Sequence, residues 1–561
     1  MTDKQAQVAG AAHGSVVSAI NSGSAPADSE IFDVVVVGGG GSGLAAAIEA
    51  RTLNRRVVLL EKNPRVGGTT ALSVGSISAT NTPLQLAAGI KDSPADHLAD
   101  MPLFATIDHR MGERGELAPP EPEPLLRLLA NNVSDSVRWL VEKGVVFFGP
   151  MPEMPHRKAR MHNIVPNSRA YIYHLERHAR KIGVEIRTGW RVERLLSEGG
   201  RVVGVAARID GKGERAVVGK GGVILASGDF SASQELKARY LPEPGPRVPP
   251  INPSSTGDGQ RMAMALGGRI VNGHVSFASL RFPAPAKPSW IQRIPPYPWL
   301  MRLTVWGLAN LPQALLRPFV LAYVTTFLIP ELKLFHEGAI LVNRRGERFV
   351  DELTRPDTAI LDQPEQCAYA IFDDSVAKKF SAWPHYVSTA PGVAYAYLPD
   401  YRRNRPDLYA SAKDAASLAR KLGMPADALT RTIADYNAGK GLAGGVKKPL
   451  TGPLHCLGPI KNLMGYTEGG LEVDEQLRVL RQDGTHIAGL YAVGNTGQSG
   501  MMLMGHGHHL GWAFTSGRLA GRNAAFDAKT QDLQGAAEAR AQAVAKLAQN
   551  AAEVPSKRAA T

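Results

Sequence analysis

His506, His508 and His509 fall in the string MGHGHHLGW, and Tyr466 lies in MGYTEGG. An imidazole gives or takes a proton near neutral pH, and a phenol does either when its pKa is brought down. These four residues are the candidate acid–base groups. A different chemistry is written near the other end of the chain. Gly38, Gly40 and Gly43 stand in G-x-G-x-x-G spacing between DVVVV and LAAAIEAR. The first glycine allows a tight turn, the second lets a diphosphate approach the backbone, and the third lets helix and strand pack closely. The helix that follows aims its N-terminal N–H groups at the anion. A second apolar run, RVVLLEK, carries Glu61. That acid is spaced about twenty positions from the first glycine, where a carboxylate meets ribose hydroxyls. Glu at this point favours an unphosphorylated ribose, hence FAD or NAD over NADP.

These groups need a scaffold. Asp33–Val37 reads as a short buried strand, β-branched and uninterrupted, followed by a helix over Leu44–Arg51. Later stretches alternate helix and strand, with further strands in RVVGVAARID and GGVILASGDF and a helix opening at Gly257. GLYAVGN then returns to strand-and-glycine pattern near the C-terminus. The pattern predicts an α/β chain: a Rossmann-type dinucleotide-binding domain with a mostly parallel sheet, split by an inserted α+β substrate or cap domain. The divisions read as a disordered tail (1–30), the first dinucleotide-binding segment (31–273), the cap (274–452), the second dinucleotide-binding segment (453–526) and a C-terminal helix and tail (527–561). Within the cap, residues 275–336 are rich in Pro, Trp and Leu. No clean apolar run there reaches the roughly 20 residues that span a bilayer. Three readings stay open for it: a buried core segment, a surface dipping into a membrane interface, or a transmembrane helix.

The 561 residues carry 64 Lys and Arg against 51 Asp and Glu, a net charge of +13. No nucleic-acid motif accompanies the excess, so an anionic membrane surface or acidic partner is the candidate for it. Cys367 and Cys456 are far apart and form no CxxC, which excludes a disulfide framework, a zinc ribbon and haem attachment. No metal site is expected. Nothing in the first 30 residues has the form of a signal peptide, and a cytoplasmic chain, with peripheral contact to the inner membrane left open, is the expectation.

Together the strings VVVVGGGGSGLAAAIEA, LLEKNPRVGGTTALSVG, STGDGQRMAMALGG, ILVNRRGERFVDE, AYAIFDDSV and GGLEVDEQLRVLRQDGTHIAGLYAVGN resemble the flavoprotein family of fumarate reductase, succinate dehydrogenase and 3-ketosteroid 1-dehydrogenase. The resemblance extends over most of Phe32–Ala525. It implies FAD as the dinucleotide, hence a Rossmann-type FAD-binding domain, two domains in all and hydride transfer across a carbon–carbon bond. It also implies cofactor contacts at Gly38, Gly40, Gly41, Ser42 and Gly43 for the pyrophosphate and at Glu61 for the ribose. Gly67, Gly68 and Thr69 would run along the flavin side, and Gly494 and Asn495 would meet the ribityl and phosphate region. Lys62, Thr70, Ser73, Gly228 and Asp258 are further contacts. The last helix, beginning near Leu510, would face the flavin pyrimidine. No histidine follows the GG motif in GGTTALSVG, so attachment is expected to be non-covalent.

The branches of the family differ in substrate groups. Fumarate reductases clamp two carboxylates, one arginine lying in GANRLGG; here the region reads MGHGHHLGW, with no arginine. Two carboxylates left without counter-charge cost several kcal/mol, which argues against a dicarboxylate. The ketosteroid branch matches better at VLRQDGTHIAGLYAVGN and at MGH, but its TYPGPGAT stretch is shortened here to GHHLGW. The expectation is an FAD-dependent dehydrogenase that desaturates the C–C bond next to the carbonyl of a cyclic or lipophilic ketone, with hydride passing to flavin N5. His506, His508, His509 and Tyr466 would be the catalytic candidates, and a quinone or carrier protein the external electron acceptor. The reverse reaction, reduction of an enone or enoate, and an electron-transfer subunit of a larger complex are the alternatives.

Overall fold

A computed structural model of the chain describes residues 26, 29–104, 123–285, 293–312, 321, 330–390, 394–440 and 448–552. The expected N-terminal tail lies almost wholly outside these residues.

Val34–Val37 forms the central strand because four β-branched side chains in succession can all be buried only between two layers. It pairs in parallel with Val57–Glu61 on one side and Val223–Leu225 on the other. Glu185–Thr188 and His486–Ala492 extend the sheet in parallel, and Arg478–Leu480 closes it antiparallel. The six-stranded order is therefore built from both ends of the chain, with Val223 facing Val35 across one seam and Leu490 across the other. The fold is α/β.

The helix Gly41–Thr52 crosses this sheet and is itself crossed by the last helix, His508–Ala552. Gly517 and Gly521 make the crossing close. A Cβ on Gly517 would lie 2.3 Å from Ser42 O, and one on Gly521 2.3 Å from Ala46 O. Arg518 and Arg522 lock the same crossing by reaching the buried Glu49, at 3.1 and 2.8 Å. The last helix starts at His508, and it does not stop before a separate C-terminal helix: one continuous helix runs to Ala552, since no proline interrupts the Ala-rich sequence.

The inserted region carries its own antiparallel sheet. The long strand Leu454–Thr467 is its spine, paired with Ser276–Arg281, Ala368–Asp373 and Tyr409–Ala412, and Ile340–Val342 adds to the edge. Separate apolar clusters form beneath it. Of the 275–336 segment, the structure describes the strand to Arg281 and the helices Pro298–Asn310 and Lys333–His336. Residues 286–292, 313–320 and 322–329 lie outside the described residues. The helix Pro298–Asn310 is not a buried core segment, because Trp299, Leu303 and Trp306 face outward. Among the described residues no helix is long and apolar enough to cross a membrane.

Candidate active site

The glycine turn is built as the spacing predicts. Gly38 has a φ of +109° and donates its N–H to Leu60 O at 2.8 Å. A Cβ on Gly43 would lie 1.9 Å from Gly38 O, so helix and turn touch there. Gly40 differs. A Cβ at that position would meet nothing nearer than Thr70 Oγ1 at 4.0 Å, although the residue caps the helix Gly41–Thr52 with no side-chain bond. Gly68 faces it, its Cβ position 3.5 Å from Gly40 Cα. A backbone-lined cleft opening on uncapped N–H groups is the shape and polarity a diphosphate requires, and FAD fits these residues.

Around the cleft, Glu61 is buried and already bonded. It accepts from Gly39 N (2.7 Å) and from Asn63 N (2.8 Å). It therefore shapes the glycine loop. Lys62 and Asp258 pair with each other at 2.7 Å. Ser42 is buried, Gly41 N donates to Thr70 Oγ1 at 3.1 Å, and Ser73 Oγ donates to Thr70 O at 2.8 Å. Thr69 accepts from Asn252 (2.8 Å). Gly67 and Gly68 both have positive φ. Gly228 O accepts from Gln260 and Thr496. Gly494 N donates to Ser516 Oγ at 2.9 Å, and Trp512 Nε1 donates to Gly494 O at 3.2 Å, so the last helix pins the Gly494–Asn495 loop. Leu510 is buried in the first turn of that helix.

A sequence profile described as an FAD-binding domain matches residues 33–286 and 299–507. The chain belongs to that family of fumarate reductase-like flavoenzymes. This family member is an FAD-dependent oxidoreductase acting on CH–CH or C=C groups. It is 28% identical over 515 residues to the NADH:fumarate oxidoreductase of Klebsiella pneumoniae (strain 342), a match that takes in 89% of this chain and 48% of that protein, so the chain spans about half of that relative. A flavocytochrome c3 fumarate reductase in its open conformation superposes with a TM-score of 0.66 at 24% identity, over 94% of this chain and 82% of the other. The 3-ketosteroid-Δ4-(5α)-dehydrogenase of Rhodococcus jostii RHA1 gives 0.53 at 25% identity, over 88% and 97%.

The flavoenzyme's three histidines do not act as one cluster. Successive residues at a helix start point about 100° apart, and His508 and His509 diverge accordingly. His508 is buried against His97 and His156, its Nε2 3.2 Å from His97 Nε2, with Phe104 edge-on to His508 and His156. Its place is in that pocket and not beside Tyr466. Burial, then the neighbouring imidazoles, holds His508 well below its ordinary pKa. Burial also takes His97 to about 3 and His156 to about 4. The ligand-capable nitrogens of the three rings lie within 4.8 Å of one another, a separation a metal ion could draw together. Arg160 opposes this. Its guanidinium donates to His156 Nδ1 at 3.0 Å, which leaves the proton on Nε2, and its charge repels a second cation. The trio is a packed neutral cluster.

His509 turns the other way. Its ring lies 4.3 Å from that of Tyr466, its Nδ1 3.4 Å from Asn495 Nδ2, and its Nε2 3.3 Å from the buried Glu468 carboxylate. Tyr466 is stacked on Phe277 at 5.4 Å, its cross-strand partner. The phenol has no hydrogen-bond partner among the described residues. Burial, with the Glu468 and Glu153 carboxylates, raises its pKa well above the usual range against the pull of Arg281. The raised pKa favours the protonated, donating phenol over the basic one. His506 is half-exposed at its side chain, 48%, and hydrogen-bonds through Nδ1 to Glu153, whose carboxylate also accepts from His506 N at 3.0 Å. Burial would lower its pKa, but Glu153 outweighs burial and Arg281 together and raises it.

Arg281, Glu153 and Glu468 were not among the sequence candidates. Arg281 donates Nε to Ser279 Oγ at 3.0 Å, and its charge acts on both Tyr466 and His506. The period-two alternation of SFASLRF puts Phe277, Ser279 and Arg281 on one face of a strand, which is the signal that could have found it. Glu468 stands in the same MGYTEGG string as Tyr466. Glu153, in a proline-rich turn, carries no pattern.

Proposed function

We propose that the protein desaturates the C–C bond beside the carbonyl of a lipophilic ketone. FAD, when bound, supplies the hydride acceptor. The observation that carries the reading is an unpartnered phenol on which the charges of Arg281 and of Glu153, the carboxylate that holds His506, both act. Tyr466 donates a hydrogen bond to the carbonyl oxygen, and Arg281 behind it stabilises negative charge as it develops there. Glu153 orients His506 by accepting from Nδ1, which leaves Nε2 to take the α-proton. Phe277, stacked on Tyr466, gives the site an apolar wall.

Arg281 favours a second reading. One guanidinium can hold one carboxylate, so a mono-enoate reduced in the reverse direction, with protonated His506 as donor, also suits the site. Arg281 lies outside the arginine-free MGHGHHLGW string and supplies one guanidinium, half of what a dicarboxylate clamp needs. The electron partner is an external carrier. Anaerobic titration separates the two readings. Cyclic and steroid ketones should bleach the oxidised flavin, whereas oxidation of the pre-reduced enzyme by enoates alone would reject desaturation and leave reduction.

A further inference from the structure

The helix Pro298–Asn310 is apolar on both sides. One stripe, with Met301 buried and Val305 and Leu308 partly so, packs on the strands Val146–Met151 and Met161–Val165. The opposite stripe repeats at i, i+4 and i+7 and stands in the open: Trp299 is 66%, Leu303 56% and Trp306 56% exposed. Tyr297 before the helix and Leu311 after it are exposed as well. Large apolar side chains exposed singly are ordinary, but two tryptophans and a leucine in one continuous stripe are not. The helix is also anchored. His174 Nε2 donates to Pro296 O at 2.8 Å, and Tyr173 lies edge-on to Tyr297.

Charge says what covers the stripe. From Arg281 to Pro312 the sequence has no Asp or Glu and four Arg or Lys. Arg302 is exposed within the helix and Arg293 just before it. Indole and phenol rings prefer the headgroup level of a bilayer, and long cationic side chains beside them reach anionic phosphates while their stems stay in the apolar layer. A protein partner would want acidic groups opposite these arginines and offers no comparable place for two indole N–H groups. We infer that this helix is an interfacial anchor that lies in the plane of an anionic lipid bilayer, with Trp299, Leu303 and Trp306 below the headgroups and Arg293 and Arg302 among them. No residue of the helix spans the membrane, and the inference does not depend on which carbonyl compound is the substrate.

The test uses the full-length, FAD-loaded protein and vesicles of phosphatidylcholine with or without about 30% phosphatidylglycerol. The wild type should sediment with the anionic vesicles and stay in solution with the neutral ones at moderate salt. Its tryptophan emission should shift to the blue on binding, and brominated acyl chains should quench it. Combined Trp299→Ser, Leu303→Ser and Trp306→Ser should weaken partitioning about tenfold or more, with flavin content and thermal melting unchanged. Arg293→Gln with Arg302→Gln should remove the preference for anionic lipid. A wild type that stays in solution with anionic vesicles overturns the inference, as does a triple variant that partitions normally. A dimer in sedimentation velocity that dissolves only in the triple variant also overturns it, by assigning the stripe to a second copy of the chain.

Discussion

Gly40→Ala and Gly43→Ala are one methyl each, three residues apart, and should fail for opposite reasons. At Gly43 the new Cβ would sit 1.9 Å from Gly38 O, against a carbon–oxygen contact of about 3.2 Å, so turn and helix must separate by more than ~1 Å. Overpacking of that size costs about 3 kcal/mol. At Gly40 the backbone, with φ of −77° and ψ of −174°, suits any residue, and the nearest protein atom to a Cβ is 4.0 Å away. The apoprotein then loses only a preferred N-cap residue, about 0.5–1 kcal/mol. The methyl instead enters the space in which a diphosphate must touch backbone. Loss of the close N–H contacts there should weaken FAD about 100-fold, or ~2.7 kcal/mol. Far-UV circular dichroism melts of the two apoproteins, flavin-to-protein ratio after gel filtration, and a Kd from quenching of flavin fluorescence on reconstitution measure the two effects separately. A Gly40→Ala protein that binds FAD as tightly as the wild type would show that the diphosphate does not lie against this turn.

Tyr466→Phe should lower kcat about 10²–10³-fold with little change in KM or flavin content, as expected when a donor to a developing oxyanion is removed; stopped-flow reduction of the flavin measures it. In the desaturation direction the rate should rise with pH through the raised pKa of His506, because only the neutral ring accepts a proton; in the reductive direction it should fall through the same point. Glu153→Gln removes the charge that raises that pKa and should move the inflection toward acid in either direction, which pH–rate profiles resolve. Arg281→Leu should raise KM for an enoate about 10–100-fold and leave a neutral ketone within about threefold, so steady-state kinetics with both substrates sort the two readings. His97 and His156, held near 3 and 4 against 6.5 when unfolded, bind protons in the unfolded chain first. Their stabilisation is complete above pH 6.5 and is lost as pH falls toward 4, so melting points measured from pH 7 to 5 should drop, and less steeply in His97→Leu.

Much of the fold was legible because it is written in local patterns. The valine run, the glycine spacing and the later strand-and-glycine return each carry their own period, and the parallel registers follow. What the sequence left unread is the direction in which side chains at helix starts point. MGHGHHLGW looks like one patch of imidazole, yet the helix turn sends His508 into a pocket with His97 and His156 and His509 toward Tyr466. Those partners come from residues 411 positions away in one case and 43 in the other (508 − 97 and 509 − 466), distances at which no spacing rule operates. Arg281 was hidden in a strand that reads as half-buried core, and Glu153 in a turn without motif. The apolar segment was legible as unusual in composition, whereas only the exposure of its tryptophans distinguishes an outward face from a core.

The glycine seam between the first and last long helices has an evolutionary reading. Gly517 and Gly521 weld one helix onto the backbone of Ser42 and Ala46, upstream of which sits the nucleotide turn. The imidazoles hang at the start of the last helix, at the same end of that weld as the nucleotide turn, in the few residues from Met504 to His509. Such a tip can be re-tooled, by exchanging histidine for arginine or lengthening the loop, while the grip on the dinucleotide stays as it was.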